Sequence, residues 1–257
     1  MRRISLALAT AGALVLAAGG GATDDGVWLF PASHGAATLA AWNAQQGEQD
    51  IQGSANQALL LEKDAPLEGN SAAAHVSGVE GLPVQVLSLA YEYRVKDGTC
   101  TVTDPRWALF VQGRSGREYE VNLGCKVAPS SPGAESGWIR RSFSQTFIRG
   151  QVLRKGGQDA LFGRVGGLAL VFDQSVGHVY VDNIVVQAKA RTNRWTYAGD
   201  NGGTHPPGGL APAFTANQLA LLAQTATADE QLTEDELVAS LTPDEWSLVS
   251  QDELPAG

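Results

Sequence analysis

The chain has 257 residues, with 18 Lys or Arg against 27 Asp or Glu, so its formal net charge at pH 7 is −9. This balance argues against a nucleic-acid-binding protein, which needs a basic face to displace phosphate counterions, and it disfavours an anionic membrane surface for the same reason. Residues 195–257 hold ten acidic residues and no Lys or Arg, so the charge argument applies mainly to that segment.

Residues 1–22 have the form of a secretory signal peptide. Arg2 and Arg3 precede a short apolar run, and small residues lead up to a cleavage point after Ala22. The run is too short to span a bilayer comfortably, and no other segment reaches the ~18 apolar residues that a spanning helix needs. We therefore expect a secreted or periplasmic protein whose mature chain has no membrane span.

Apolar residues between about positions 27 and 197 recur with a period of two, which is typical of β-strands. In residues 87–95, Leu87, Leu89 and Tyr91 alternate with small or polar residues on the opposite face. Seven or eight strands without intervening helical patterns predict an all-β fold, an antiparallel sandwich or barrel. Further strands are predicted at residues 27–30, 58–62, 138–147, 167–172 and 179–187.

Cys100 and Cys125 flank a predicted hairpin, in which residues 107–112 and 118–123 alternate around a turn at residues 113–116. Both sulfurs therefore fall at the open end of the hairpin. In an exported chain they can form a lasting disulfide, which would stabilise the fold by roughly 3–4 kcal/mol. A redox or metal pair is the alternative, but neither a C-x-x-C spacing nor a nearby His accompanies them.

Residues 178–186 read His-Val-Tyr-Val-Asp-Asn-Ile-Val-Val. This segment resembles the closing strand of jelly-roll carbohydrate-binding modules, the galactose-binding-like sandwiches, and the order of elements from Trp42 to Tyr93 is similar to theirs. The resemblance covers about residues 27–190. It implies an antiparallel jelly-roll-like β-sandwich that binds a polysaccharide or a cell-envelope glycan without catalysis. The hairpin between the two cysteines departs from the pattern.

Such modules bind glycans through exposed aromatic rings, whose flat apolar faces match the C–H face of a sugar. Trp138 follows a loop and shares strand parity with Arg140, so we expect both side chains to be exposed and to bind the ligand. Trp42 and Tyr93 are further candidates. The alternative for each ring is a place in the core, which the apolar parity of Trp107 predicts for that residue.

Asp182 is the acidic residue of the closing-strand motif. In the resembling modules an acidic residue at this place often helps to hold a structural calcium ion, which prefers oxygen ligands. Asp50 is our candidate for a second ligand, with Asp24 and Asp25 as others. The alternative is a buried Asp hydrogen-bonded to loop amides, and no EF-hand loop is present.

Catalytic motifs are missing from the sequence: it contains no HExxH, G-x-S-x-G, P-loop or GxGxxG pattern. We therefore expect a binding protein rather than an enzyme. A secreted glycan hydrolase remains an alternative, because its two carboxylates can come from distant strands.

Residues 199–213 are rich in Gly and Pro and predict a linker between a sandwich domain (23–198) and an acidic helical tail (214–257). Thr215, Thr233 and Thr242 each precede Gln or Glu by three residues, a capping box that predicts the start of a short helix. The helices either pack on the sandwich or form an acidic docking element for a protein partner. In the second case the chain is a structural or protein-interaction module of the envelope.

Overall fold

The computed structural model describes residues 27–49, 56–67, 69–97, 104–125, 130–188, 191–195, 215–225 and 232–250. The predicted leader, Asp50, Cys100 and the predicted linker lie outside these ranges. None of the described helices is long and apolar enough to cross a membrane.

The described strands form two antiparallel sheets. The smaller sheet has the order β1-β4-β10-β6-β7, and the larger has the order β2-β3-β11-β5-β9-β8, with β12 paired to β11. The predicted jelly-roll-like sandwich is thereby confirmed. The strands are β1 (Trp28–His34), β2 (Thr38–Asn43), β3 (Ala58–Lys63), β4 (Ser71–Ser77), β5 (Leu87–Asp97), β6 (Arg106–Gln112), β7 (Glu118–Gly124), β8 (Ser130–Pro132), β9 (Ile139–Phe143), β10 (Arg164–Phe172), β11 (Gly177–Ala188) and β12 (Arg191–Trp195).

The main core lies between the two sheets. Tyr91 of the larger sheet contacts Trp107 of the smaller one edge to face, with ring centroids 6.3 Å apart, and both residues are fully buried. The Tyr91 hydroxyl donates to the carbonyl oxygen of Pro105 at 2.7 Å, so this buried polar group is satisfied. The predicted burial of Trp107 is confirmed.

The prediction of one strand over residues 138–147 was wrong in its second half. Strand β9 ends at Phe143, and helix α1 (Gln145–Leu161) follows immediately. Ser144 caps the helix, because its side chain accepts the Phe147 N–H at 3.1 Å. Phe147 and Ile148 enter the main core, so the helix closes one side of the sandwich.

A buried guanidinium group ties the β6–β7 hairpin to the turn after β10. Arg106 donates to Asn122 Oδ1 at 2.6 Å, to Asp104 Oδ1 at 3.0 Å and to Asp173 Oδ2 at 2.9 Å. Asp104 also accepts backbone N–H groups from residues 173–175 on its Oδ2. The buried guanidinium group is therefore paired and hydrogen-bonded, as a buried charge requires.

The three predicted helix starts are confirmed in α2 (Ala216–Thr225), α3 (Glu234–Ser240) and α4 (Pro243–Ser250). In α3 the Glu236 N–H donates to Thr233 Oγ1 at 3.3 Å, and the Glu236 carboxylate accepts the Thr233 N–H at 2.8 Å. Leu222 of α2 packs on the outer face of the smaller sheet. Leu237 of α3 and Val249 of α4 join the main core. Of the two alternatives for the tail, packing on the sandwich is the one found in the described residues.

Candidate functional site

The outer face of the larger sheet gathers polar and aromatic side chains in two rows. Residues directly opposite each other in an antiparallel pair project to the same face. In one row Leu60 of β3 pairs with Tyr180 of β11, which pairs with Arg94 of β5. In the next, Asp182 pairs with Glu92, which pairs with Arg140 of β9.

Arg94 is held between two aromatic rings. Its guanidinium carbon lies 5.0 Å from the ring centroid of Trp138 and 5.5 Å from that of Tyr180. One terminal nitrogen donates to the Gln46 carbonyl oxygen at 2.8 Å. The two stacking contacts and the hydrogen bond fix a half-buried cation in one position on this face.

Glu92 links the second row to the loop before β9. Its Oε1 accepts from Arg140 at 2.9 Å, and its Oε2 accepts the Ala134 N–H at 2.8 Å. A side chain on Gly133 would collide with this carboxylate, since a Cβ there would lie 2.7 Å from Glu92 Oε2. The close approach brings the loop down onto the sheet and places Trp138 over it.

The Asp-Asn motif of the closing strand forms a β-bulge. Asp182 lies opposite Glu92 and Val185 opposite Ala90, so the pairing shifts between them. Asn183 takes up the shift with a φ of 46°, a left-handed conformation that Asn tolerates better than most residues. The physical role of Asn in the motif is therefore to turn the strand at this point.

Asp182 is hydrogen-bonded to backbone amides on both oxygens. Oδ1 accepts the Asn183 N–H at 2.6 Å, and Oδ2 accepts the Glu48 N–H at 2.8 Å. Glu48 in turn accepts from the Asn183 side-chain amide. Gly47 lets the loop lie close to both Gln57 and Asp182. A Cβ at position 47 would lie 2.1 Å from the Gln57 carbonyl oxygen and 2.9 Å from Asp182 Oδ2.

Two neighbouring carboxylates in this cluster have their pKa values moved in opposite directions. Burial raises the pKa of Glu48 to about 7, aided by its hydrogen bond to Glu92 and by the charges of Glu92 and Asp182. Burial acts to raise the pKa of Glu92 as well, but hydrogen bonds from Glu48, the Ala134 N–H and Arg140 outweigh it, and the pKa is lowered. Such a pair resembles the acid and base of a glycosidase electrostatically. Each residue is only 3% exposed, however, so a glycosidic oxygen has no access to either carboxyl group.

The expected exposure of Trp138 was wrong: the residue is 3% exposed, and it packs with Ala58, Leu60 and Tyr180. Its parity was correctly assigned, but the loop presses the ring onto the outer face. Arg140 is on the same face, and its side chain is 33% exposed. Tyr93 is 2% exposed in the main core, and Trp42 is half-buried against that core. The structure therefore brings Trp138 and Arg140 to one surface and places Tyr93 and Trp42 elsewhere.

The predicted calcium site at Asp182 is only partly described. Asp50 lies outside the described residues. The contacts of Asp182 fit the alternative, a buried carboxylate that accepts the backbone N–H groups of Asn183 and Glu48. Calcium stays a prediction. The disulfide also stays a prediction, because Cys125 is fully buried but Cys100 lies outside the described ranges.

Arg94 and Glu48 were not among the predicted site residues. A signal for Arg94 was present, since Arg94 and Glu92 share the polar face of the strand that begins at Leu87. Glu48 carried none, because its neighbours Asp182 and Glu92 are distant in the sequence and only the fold brings them together.

No protein-family model matches the chain, and no curated protein shows significant sequence similarity to it. Similar solved structures include the C-terminal family 22 carbohydrate-binding module of Clostridium thermocellum Xyn10B, at 12% identity and a TM-score of 0.33, covering 64% of this chain and 87% of that one. A family 11 module from Clostridium thermocellum, solved with a mixed-linked tetrasaccharide, is 11% identical with a TM-score of 0.37, covering 65% and 98%. The family 30 module of a cellulosomal cellulase from that organism is 10% identical with a TM-score of 0.36, covering 65% and 95%. These are carbohydrate-binding modules, the class that the closing-strand motif resembles.

Proposed function

We propose that the chain is an exported carbohydrate-binding protein without catalytic activity, and that the outer face of the larger sheet around Arg94 and Arg140 contacts the glycan. The observation that carries this proposal is the fixed position of Arg94 between Trp138 and Tyr180. A side chain that is already immobilised loses little conformational entropy when a ligand binds.

Guanidinium groups suit the recognition of sugar hydroxyls. Each presents several N–H donors in a rigid plane, and a hydroxyl oxygen accepts from them. Arg140 is partly exposed and held by Glu92, so the two cations form one ordered polar surface. Because Trp138 and Tyr180 are buried beneath Arg94, ring stacking on the sugar is not part of this proposal, in contrast to the sequence-based expectation.

The proposal that the protein is not catalytic is supported by the burial of the carboxylates on this face. Glu48 and Glu92 are the described carboxylates whose pKa values are moved apart on this face, and both are nearly fully buried. The Glu48 carboxylate accepts the Glu135 N–H at 2.7 Å, and the Glu92 carboxylate accepts the Ala134 N–H at 2.8 Å. Both carboxylates therefore have a structural role, which is to hold the loop before β9 against the sheet.

The test is retention of the mature protein on insoluble polysaccharides and cell-wall preparations, compared with Arg94→Ala, Arg140→Ala and a control, Arg154→Ala. Arg154 is an exposed cation on α1, away from the sheet face. We expect the first two substitutions to weaken binding at least about tenfold, since hydrogen bonds to charged groups are involved. The control should bind like the original chain. Retention on none of the glycans, or equal retention of all variants, overturns the proposal.

The acidic helices offer a second candidate surface for a protein partner. Trp246 and Val238 are 39% and 42% exposed on α4 and α3, beside carboxylates of the first helical turns. Deleting the tail would not test it, because Leu237 and Val249 belong to the core. The paired substitution of Trp246→Ala and Val238→Ala is the better probe. If it abolishes retention on cell-wall preparations while Arg94→Ala does not, the tail is the binding element.

A further inference from the structure

Glu62, Asp64 and His178 converge on the outer face of the larger sheet, where β3 ends and β11 begins. His178 lies directly opposite Glu62 in the β3–β11 pair. Its Nε2 is 3.2 Å from Glu62 Oε2 and 3.7 Å from Asp64 Oδ1, and one donor atom from each of the three residues lies within 4.8 Å of the others. The side chains of His178, Glu62 and Asp64 are 26%, 19% and 57% exposed, so an ion in solution can reach them.

These separations match the coordination sphere of a small metal ion. Two ligand atoms at ~2.0–2.2 Å from a zinc ion lie about 2.8–3.6 Å apart for octahedral to tetrahedral angles. The two distances from His178 Nε2 lie in or close to this interval, and a small rotation of the exposed Asp64 side chain closes the rest. The strand register positions the other two ligands. His178 and Glu62 lie directly opposite each other, so the imidazole and the carboxylate are held side by side.

The donor set selects the class of metal. Calcium and magnesium take oxygen ligands, whereas an imidazole nitrogen with two carboxylates suits zinc and its neighbours in the first transition row. We propose that Glu62, Asp64 and His178 bind a divalent first-row transition metal ion, with zinc as the ion to test, and that water completes its coordination. This site is distinct from the predicted calcium position at Asp182, and it does not depend on the proposed glycan binding.

A pair of histidines elsewhere provides the matched control. Nε2 of His34 and Nε2 of His75 are 3.0 Å apart on the smaller sheet, so they too could attract a soft cation. The decisive comparison is therefore between His178→Ala and His34→Gln. Asp64→Asn is a third variant, and because Asp64 is the most exposed of the three residues, its replacement leaves the fold intact.

The experiment titrates tag-free, metal-stripped protein with zinc chloride in a calorimeter, and records the visible absorption of the cobalt(II) form. We expect one zinc ion per chain. His178→Ala and Asp64→Asn should each weaken zinc affinity about tenfold or more, since losing even a hydrogen-bond partner of a metal ligand weakens metal affinity by about 10–100-fold. The same two variants should lose the cobalt spectrum of the bound ion, while His34→Gln keeps it. Absence of zinc binding in the original chain, or binding that is lost in His34→Gln and retained in His178→Ala, overturns the proposal.

Discussion

Leu237 of α3 occupies the space left by the missing side chain of Gly150 on α1: a Cβ at position 150 would lie 2.5 Å from Leu237 Cδ2. Leu237 is only 2% exposed, although it lies in the acidic C-terminal segment. The contact is supported by polar ones nearby, since Gln151 of α1 donates to the Leu232 carbonyl oxygen at 2.9 Å. Helices α3 and α4 of the tail thus contribute side chains to the packed interior.

Leu237→Ala should therefore lower the free energy of unfolding by about 2–4 kcal/mol, because it removes buried methyl groups and leaves a cavity beside Gly150. Val238→Ala is the matched control on the same helix, and as Val238 is 42% exposed its effect should stay within about 0.5 kcal/mol. Urea unfolding of both variants measures the difference. Equal effects would show that α3 does not pack on α1 in solution.

Arg106→Ala should lower the free energy of unfolding more than Leu237→Ala does. It leaves Asp104 and Asp173 without the cation that pairs them, in a network where Arg106 is 1% exposed. Breaking a buried pair by removing one partner costs about 3–5 kcal/mol. The exposed Arg154→Ala serves as the control in the same thermal and urea measurements. An Arg106 variant as stable as this control would contradict the buried network.

Glu48 should make stability fall as pH rises. Its pKa is raised in the folded state from 4.5 to about 7, so between these values the folded chain binds more protons than the unfolded one. The stabilising contribution of this group is complete below about pH 4.5 and is lost as pH rises through about 7. Glu48→Gln should flatten this part of the curve of unfolding free energy against pH. A Glu48→Gln variant whose unfolding free energy varies with pH as steeply as that of the original chain would contradict the prediction.

Calcium is best sought above pH 7, because the pKa of the neighbouring Glu48 is raised to about 7 and this carboxylate is charged only above that value. If calcium binds near Asp182, adding it at pH 8 should raise the melting temperature of the original chain, because a ligand that binds only the folded state stabilises it by mass action. Asp182→Asn should lose this effect, and His178→Ala should keep it. Melting temperatures that do not respond to calcium or to a chelator would exclude a calcium site.

The predicted disulfide between Cys100 and Cys125 is tested by mass spectrometry of the unreduced chain, which should be two hydrogens lighter than the reduced form. Reduction should lower the free energy of unfolding by about 3–4 kcal/mol, because the closed loop no longer restricts the unfolded chain. Two thiols that react with a dye in the unreduced, denatured protein would contradict the prediction.

Much of the fold could be predicted because alternation is a local signal. Residues 87–95 show it clearly, and β5 lies there. Strand β4 escaped notice because nearly all of its residues are buried, so Ala72, Ala73 and Ala74 follow one another without a polar partner. Helix α1 was not predicted because its sequence contains three glycines, which disfavour a helix. Ser144 followed by Phe147, Ile148 and Val152 nevertheless has the spacing of a capped helix.

The site was harder to predict because its exposure depends on loops. Strand parity put Trp138 and Arg140 on the same face, and that was correct. Whether a ring on that face meets water depends on the loop at Gly133, whose close approach to Glu92 has no signature in the sequence. The contact between Glu48 and Asp182 could not be predicted for the same reason, since a loop, and not a strand register, brings Glu48 to Asp182.

Helix α1 ends at Leu161, and the helix that covers it begins only at Glu234. Any process that delivers the chain from its N-terminal side, such as synthesis or translocation, presents all the sandwich strands before it presents α3. During that interval Leu237 cannot yet pack against Gly150, so the main core stays incomplete until α3 is available.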